Sequence, residues 1–337
     1  MENRAGAMQA LWPVYHPDLP AFLRELAETP EMRRLRNVGM NCGCEYTDFP
    51  RFRKLAPYSR FDHSVGVGLI VWHFTKSPAQ AAAGLLHDIA TPVFAHVVDF
   101  LNGDHLRQES TEARTAELID RSPEIRRILQ REGLTVSQVA DYHDYPIADN
   151  DTPWLSADRL EYSLGNLWNY GLISFEKARS YYADLTVAEN EDGQPELAFR
   201  TPETAAGFAM DALGTARIYV ADEDRFSMEV LARLLRLALE RNVIGPEDLY
   251  GTEPQVIRRL EADAVCGPLW RRYRGYTNIE SRPSRPAEGQ WLQIPAKLRC
   301  IDPLAVGMGR VSQWAPQFRQ SLEEFRETSF DSWLGPV

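Results

Sequence analysis

Four side chains define the chemistry open to this sequence: His63 in RFDHSVG, the adjacent pair His87 and Asp88 in AAGLLHDIATPVFAH, and Asp158 in SADRLEY. Two imidazoles and two carboxylates make a mixed nitrogen and oxygen donor set. Such a set suits a divalent first-row ion (Mn, Fe, Co, Ni or Zn), with Mg also compatible. Four protein ligands leave two octahedral positions, one for water and one for a substrate oxygen. An ion held this way lowers the pKa of bound water toward ~7 and stabilises charge that develops on a substrate oxygen. The adjacency of His87 and Asp88 is the demanding feature. Neighbouring residues on a helix point about 100° apart, so both reach one ion only if it lies close against the helix surface. The small residues of AAAGL before the pair, and Gly66 and Gly68 after His63, permit that closeness. A structural ion-pair core, or a metal that only stabilises, would use the same residues.

The elements that must position these residues read as helices. From Asp18 to about residue 184, Asp18, Ser77, Ser110, Ser122 and Ser156 stand where N-caps belong, and Pro78 and Pro123 stand just inside two of the starts. This block is an all-helical bundle. DLTVAENEDGQPELAFR (184–200) interrupts it with two short β-prone runs around an Asp-Gly turn, a small hairpin. Helical periodicity resumes from Pro202 through MEVLARLLRLALERNVIG, with Gly245 as the expected stop. IESRPSRPAEG (279–289) reads as a linker, QWLQIPAKLRCIDPLAV as extended, and residues near 314–328 as a last amphipathic helix. The expected division is 1–184 for the catalytic bundle, 185–278 for a hairpin plus packed helices, and 279–337 for a linker and C-terminal lobe.

The blocks RLRNVG, RFDHSVGVGLI (60–70), AGLLHDIATPVFAHVVDF (83–100) and SADRLEY (156–162) follow one another over about half the chain. In them the sequence resembles the HD-domain metal-dependent phosphohydrolases, and within these the dGTPase-like deoxynucleoside triphosphate triphosphohydrolases. The resemblance implies a mainly α fold, an HD-domain helical bundle carrying a small β-hairpin and a C-terminal mixed α/β appendage. It implies His63, His87, Asp88 and Asp158 as metal ligands, a nucleotide substrate and a homo-oligomer. His96 and Asp99 match catalytic positions. They stand three residues apart, on one face of the helix expected for VFAHVVDFL, where a carboxylate can orient the imidazole as a general acid. Arg60 and Arg159 match phosphate-contacting positions and Tyr162 a sugar-contacting tyrosine, with Asn166 on roughly the same helix face. The chain departs from the pattern at Ala90-Thr91, where Gly-His is usual, at Gln108, where a catalytic His is usual, and at Asn166, where a sugar-recognising Asp is expected. Gln108 cannot shuttle protons, so the chain relies on His96 or recruits His105, one turn earlier.

Alternatives to a dNTP triphosphohydrolase are a 5′-nucleotidase, a dinuclear HD phosphodiesterase using His105 and His143, and a regulatory nucleotide-binding module without turnover. His143 in DYHDYP otherwise reads as a surface or supporting element, His73 as core or helix surface, and His16 as loop. The net charge of −11 disfavours duplex nucleic acid, which needs clustered Lys and Arg. An anionic substrate needs a local positive pocket, for which RFRK (51–54), Arg60 and Arg159 are the candidates. Hydrophobic residues make up 44% and charged residues 25% of 337, ordinary for a soluble globular chain. No apolar run approaches the ~18 residues of a membrane span, and no basic-then-apolar leader opens the sequence, so the reading is cytoplasmic with no membrane partner. Four scattered cysteines fit a reducing compartment, and Cys42-Gly43-Cys44 reads as a small-residue loop or half of a zinc site.

Overall fold

The computed structural model describes residues 6–98 and 114–337. Asp99, His105, Gln108 and Ser110 lie outside the described residues. The fold is mainly α, as expected, and three helices carry the centre of it. Helix α1 (Ala21–Ala27) opens the bundle. Asp18 does not cap it: Pro20 takes the cap position, and the Asp18 carbonyl lies 2.8 Å from His16 Nδ1. Helix α2 (Arg60–Thr75) starts in a capping box, in which Ser59 accepts the Asp62 N–H and Asp62 accepts the Ser59 N–H. Helix α3 (Pro78–Leu86) is capped by Ser77, α4 spans Thr115–Arg121, and α5 (Pro123–Arg131) is capped by Ser122. Helix α6 (Ala157–Asn169) is capped by Ser156.

Helices α2, α3 and α6 approach each other through glycines. A Cβ on Gly68 would stand 3.1 Å from Leu85 Cβ, and one on Gly84 would stand 3.1 Å from Val71 Cγ2. On the other side of α2, a Cβ on Gly66 would press into Glu161 of α6 at 2.6–2.9 Å. These contacts are the close approach that the adjacent His-Asp pair requires.

After α7 (Phe175–Ala183) comes the hairpin, β1 (Leu185–Glu189) antiparallel to β2 (Pro195–Phe199), with Leu185 opposite Phe199. Helices α8 (Pro202–Tyr219), α9 (Asp222–Glu240), α10 (Glu253–Ala262) and α11 (Cys266–Arg274) follow. Helix α9 ends five residues before the expected Gly245. Asn242 adopts a left-handed φ of 57° and the Val243 N–H closes on Ala238, so asparagine supplies the stop. The segment expected as a linker begins with a strand, β3 (Ile279–Arg282), antiparallel to the C-terminal β6 (Trp333–Pro336). The linker reading missed this because the pairing partner is some fifty residues away. Between them, β4 (Leu304–Ala305) adds parallel to β2, β5 (Gly309–Arg310) pairs with β4, and α12 (Pro316–Arg326) is the last helix.

One apolar core lies under α2, α3, α6 and α8. A second gathers α9, α10 and α11 around Phe49, Phe52 and Phe94. No helix among the described residues is long and apolar enough to cross a membrane.

Candidate metal centre

His63 projects from the first turn of α2 and is 1% exposed. His87 is the residue that ends α3, and Asp88 lies in the turn beyond it, where the Thr91 N–H folds back to the Asp88 carbonyl. The adjacent pair therefore reaches one point from the turn that follows Leu86, and not by flanking a continuous helix surface. Donor atoms of His63, His87 and Asp88 lie within 4.8 Å of one another. Asp158, in the first turn of α6, completes the set: its Oδ1 is 2.9 Å from His63 Nε2 and 3.6 Å from His87 Nε2.

The second nitrogen of each imidazole is already engaged. His87 Nδ1 lies 2.8 Å from the Gly84 carbonyl, an acceptor only, so Nδ1 carries the proton and the Nε2 lone pair faces the carboxylates. His63 Nδ1 lies 2.5 Å from Glu161 Oε2, and Glu161 also accepts the Tyr58 and Tyr15 hydroxyls. A carboxylate behind a ligating histidine fixes its tautomer and raises its basicity. Two inward Nε2 atoms with two carboxylates fit a divalent ion with positions left for water and substrate.

Electrostatics follow the same arrangement. Burial opposes charge on Asp88, yet Arg60 at 3.1 Å, with His87, His63 and the Thr91 hydroxyl, holds its carboxyl well below the usual range. Burial likewise opposes charge on Asp158, and the His63 hydrogen bond prevails to hold it low. For His63, burial opposes the imidazolium, but hydrogen bonds to Asp158 and Glu161 lift its pKa to about 10. Burial pushes Glu161 up despite those hydrogen bonds. A metal bound at Nε2 would leave the His63 proton on Nδ1, facing Glu161.

The remaining residues singled out by sequence fall into three groups. Arg60 stands at the donor set, bound to Asp88, with its Nε buried and without a hydrogen-bond partner among the described residues. Arg159 points from α6 into an ion pair with Asp149 at 2.8 Å and a hydrogen bond to Asn150 Oδ1 at 2.9 Å, beside the donors but tied to protein groups. Tyr162 and Asn166 do share a face of α6 and meet at Tyr219. Asn166 Nδ2 donates to the Tyr219 hydroxyl at 2.7 Å, the Tyr162 ring lies 6.3 Å from that of Tyr219, and Asn166 Oδ1 is buried with no partner among the described residues.

His96 corrects an expectation. VFAHVVDFL does not form a helix through His96: residues 93–96 make a turn, with Phe94 at φ 59° and Ala95 at φ 44°, both left-handed. Such conformations cost non-glycine residues on the order of 1–2 kcal/mol each. Distant groups impose the turn, since the Val93 N–H donates to the Leu249 carbonyl and the Phe94 N–H to Glu253. The expected helix therefore starts after His96, at residue 97, and Asp99 is outside the described residues. His143 lies 3.4 Å from Asp149 and its ring packs on Tyr142, which in turn packs on His87. RFRK contributes Arg51 and Lys54 to a separate open cleft of about 550 Å³ beside Tyr170, at the far end of α6 from Asp158.

Sequence reading missed Glu161, Tyr58 and Thr91. Glu161 follows Asp158 by three residues, so both occupy one face of α6, and that spacing was the available signal. Thr91, noted only as a departure, donates to Asp88 Oδ1 at 2.5 Å.

Comparison with known proteins places these features in context. No family model matches the chain. It is 28% identical over 245 residues, 72% of either chain, to the uncharacterized protein YdhJ of Bacillus subtilis. It is also 28% identical over 167 residues to the metal-dependent phosphohydrolase cns2 of Cordyceps militaris, covering 48% of this chain and 45% of that one. A crystal structure of a phosphohydrolase, BT4208, from Bacteroides thetaiotaomicron shares the fold, with TM-score 0.61 over 94% of this chain and 96% of that chain at 16% identity. The solved structure shows the fold, and the likeness to cns2 together with the His63, His87 and Asp88 group supports a metal-dependent phosphohydrolase at that general level.

Proposed function

We propose that this chain is a hydrolase of nucleotide phosphate bonds, with a deoxynucleoside triphosphate as the preferred substrate class. The observation that carries the reading is the convergence of His63 Nε2, His87 Nε2, Asp88 and Asp158 on one point, each imidazole oriented by its other nitrogen. His63, His87, Asp88 and Asp158 would hold a divalent ion, which would supply an acidified water and a Lewis-acid contact for a phosphoryl oxygen. Arg60, beside Asp88, presents a buried guanidinium with a free Nε to a phosphate at the same point. Tyr162 and Asn166 lie further along α6, facing Tyr219 at the end of α8. The unpartnered Asn166 Oδ1 can accept one hydrogen bond from a sugar or base donor. His96 delivers a proton to the leaving oxygen, with Asp99 assisting. Hydrolysis of a dNTP then gives a deoxynucleoside and tripolyphosphate.

The test is a Mn²⁺-supplemented screen of nucleoside mono-, di- and triphosphates and cyclic nucleotides, with products resolved chromatographically. Tripolyphosphate from a dNTP is the expected product. Single phosphate from monophosphates would make the chain a nucleotidase. Cleavage restricted to cyclic substrates would make it a phosphodiesterase, and bound metal without turnover would leave a regulatory module.

A further inference from the structure

Glu253 opens α10 at 2% exposure, far along the chain from the metal donors, and ties three separate segments together. Its Oε1 accepts the Gly39 N–H at 2.9 Å and the Phe94 N–H at 3.1 Å, and its Oε2 accepts the Tyr46 hydroxyl at 2.7 Å. Gly39 pairs with Ser59, and the neighbouring Val38 carbonyl accepts the Arg60 N–H at 2.8 Å, so this segment leads into the start of α2. Phe94 belongs to the left-handed turn that delivers His96. The Tyr46 ring packs edge-on to Phe94 at 6.1 Å, and the Val93 N–H bonds to the Leu249 carbonyl at 2.7 Å. Two consecutive non-glycine residues keep φ values of 59° and 44° only where their surroundings over-determine the backbone. Here Leu249 and Glu253 supply the fixed acceptors.

We propose that Glu253 is a positioning residue for His96: its carboxylate locks the Phe94-Ala95 turn and so sets where the imidazole stands relative to the metal donors. The proposal rests on the reading of His96 as the proton donor. Glu253 touches neither substrate nor metal ligand, and acts through the backbone of the turn. A carbonyl oxygen can accept both N–H groups as well as a carboxylate does, so Glu253→Gln retains the clamp and Glu253→Ala removes it.

Three measurements on the full chain with Mn²⁺ test this: metal content, kcat and KM on a dNTP that the wild type cleaves, and amide exchange of the segment 92–98. Glu253→Ala is expected to keep its metal and to hold KM within about twofold. Its kcat falls at least tenfold and exchange across 92–98 speeds up at least tenfold, whereas Glu253→Gln stays within about threefold of wild type in both. A general loss of stability would instead lower kcat only in step with metal content. Unchanged kcat per bound metal in Glu253→Ala, unchanged exchange, or Glu253→Gln as slow as Glu253→Ala would each overturn the proposal. If Glu253→Ala does not fold, Glu253→Asp, whose shorter arm withdraws the acceptor, takes its place with the same outcomes. A wild type that cleaves no phosphate bond defeats the functional reading, and the exchange result then decides the clamp by itself.

Discussion

At the scale of single residues, the centre works through the second contact each group makes. His87 is aimed by Gly84, His63 by Glu161, and Asp88 is held charged by Arg60 and Thr91. His96 is not one of the grouped donors His63, His87 and Asp88, so His96→Ala is expected to retain metal and lose rate on the order of 10²-fold. Undiminished kcat in that variant would remove His96 from the mechanism. The donors were legible because their types and order carry the chemistry. Glu161 was not: a lone carboxylate on a helix reads as solvated, and only its packing against Gly66 and the hydroxyls of Tyr58 and Tyr15 reveals its role. The turn before His96 was misread as helix because its local pattern is helical, and the acceptors that override it lie more than 150 residues away.

At the scale of elements, the geometry depends on helices that approach more closely than ordinary side chains allow. Gly66 faces Glu161 across the contact between α2 and α6, where a methyl group would overlap three carboxylate-arm atoms at 2.6–2.9 Å. Gly66→Ala is therefore expected to cost about 1–3 kcal/mol of stability and to weaken metal binding about 10–100-fold, by displacing the carboxylate that aims His63. Thermal unfolding and chelator competition measure both. Wild-type metal affinity would mean that Glu161 does not orient the ligand. The helix starts at Ser77, Ser122 and Ser156 were readable because a cap is a local hydrogen bond. The pairing of β3 with β6 was not, because strand partners distant in sequence leave no local period.

At the scale of the whole molecule, a chain of net charge −11 buries acids in settings that shift them in opposite directions. The metal centre holds its aspartates charged, whereas burial pushes Glu45 up to about 8, with Glu253 adding to it, and pushes Asp224 up to about 8. For both carboxyls the folded state binds a proton that the unfolded chain releases near pH 4. Their stabilising contribution is thus complete below that pH and is lost as pH rises toward 8. With metal held saturating, the melting temperature is expected to fall between pH 5.5 and 8.5, and Glu45→Gln is expected to flatten that fall; a wild-type melting temperature rising over this range would contradict the assignment. The central claim is that this fold hydrolyses phosphate bonds through the ion that its two histidines and two aspartates hold. The most direct test measures divalent metal content and nucleotide hydrolysis together in the wild type, in the chelator-stripped protein and in His87→Ala. The account predicts that hydrolysis follows metal, vanishing on stripping, returning with Mn²⁺, and absent with the metal in His87→Ala. Full activity in the stripped protein or in His87→Ala would contradict it.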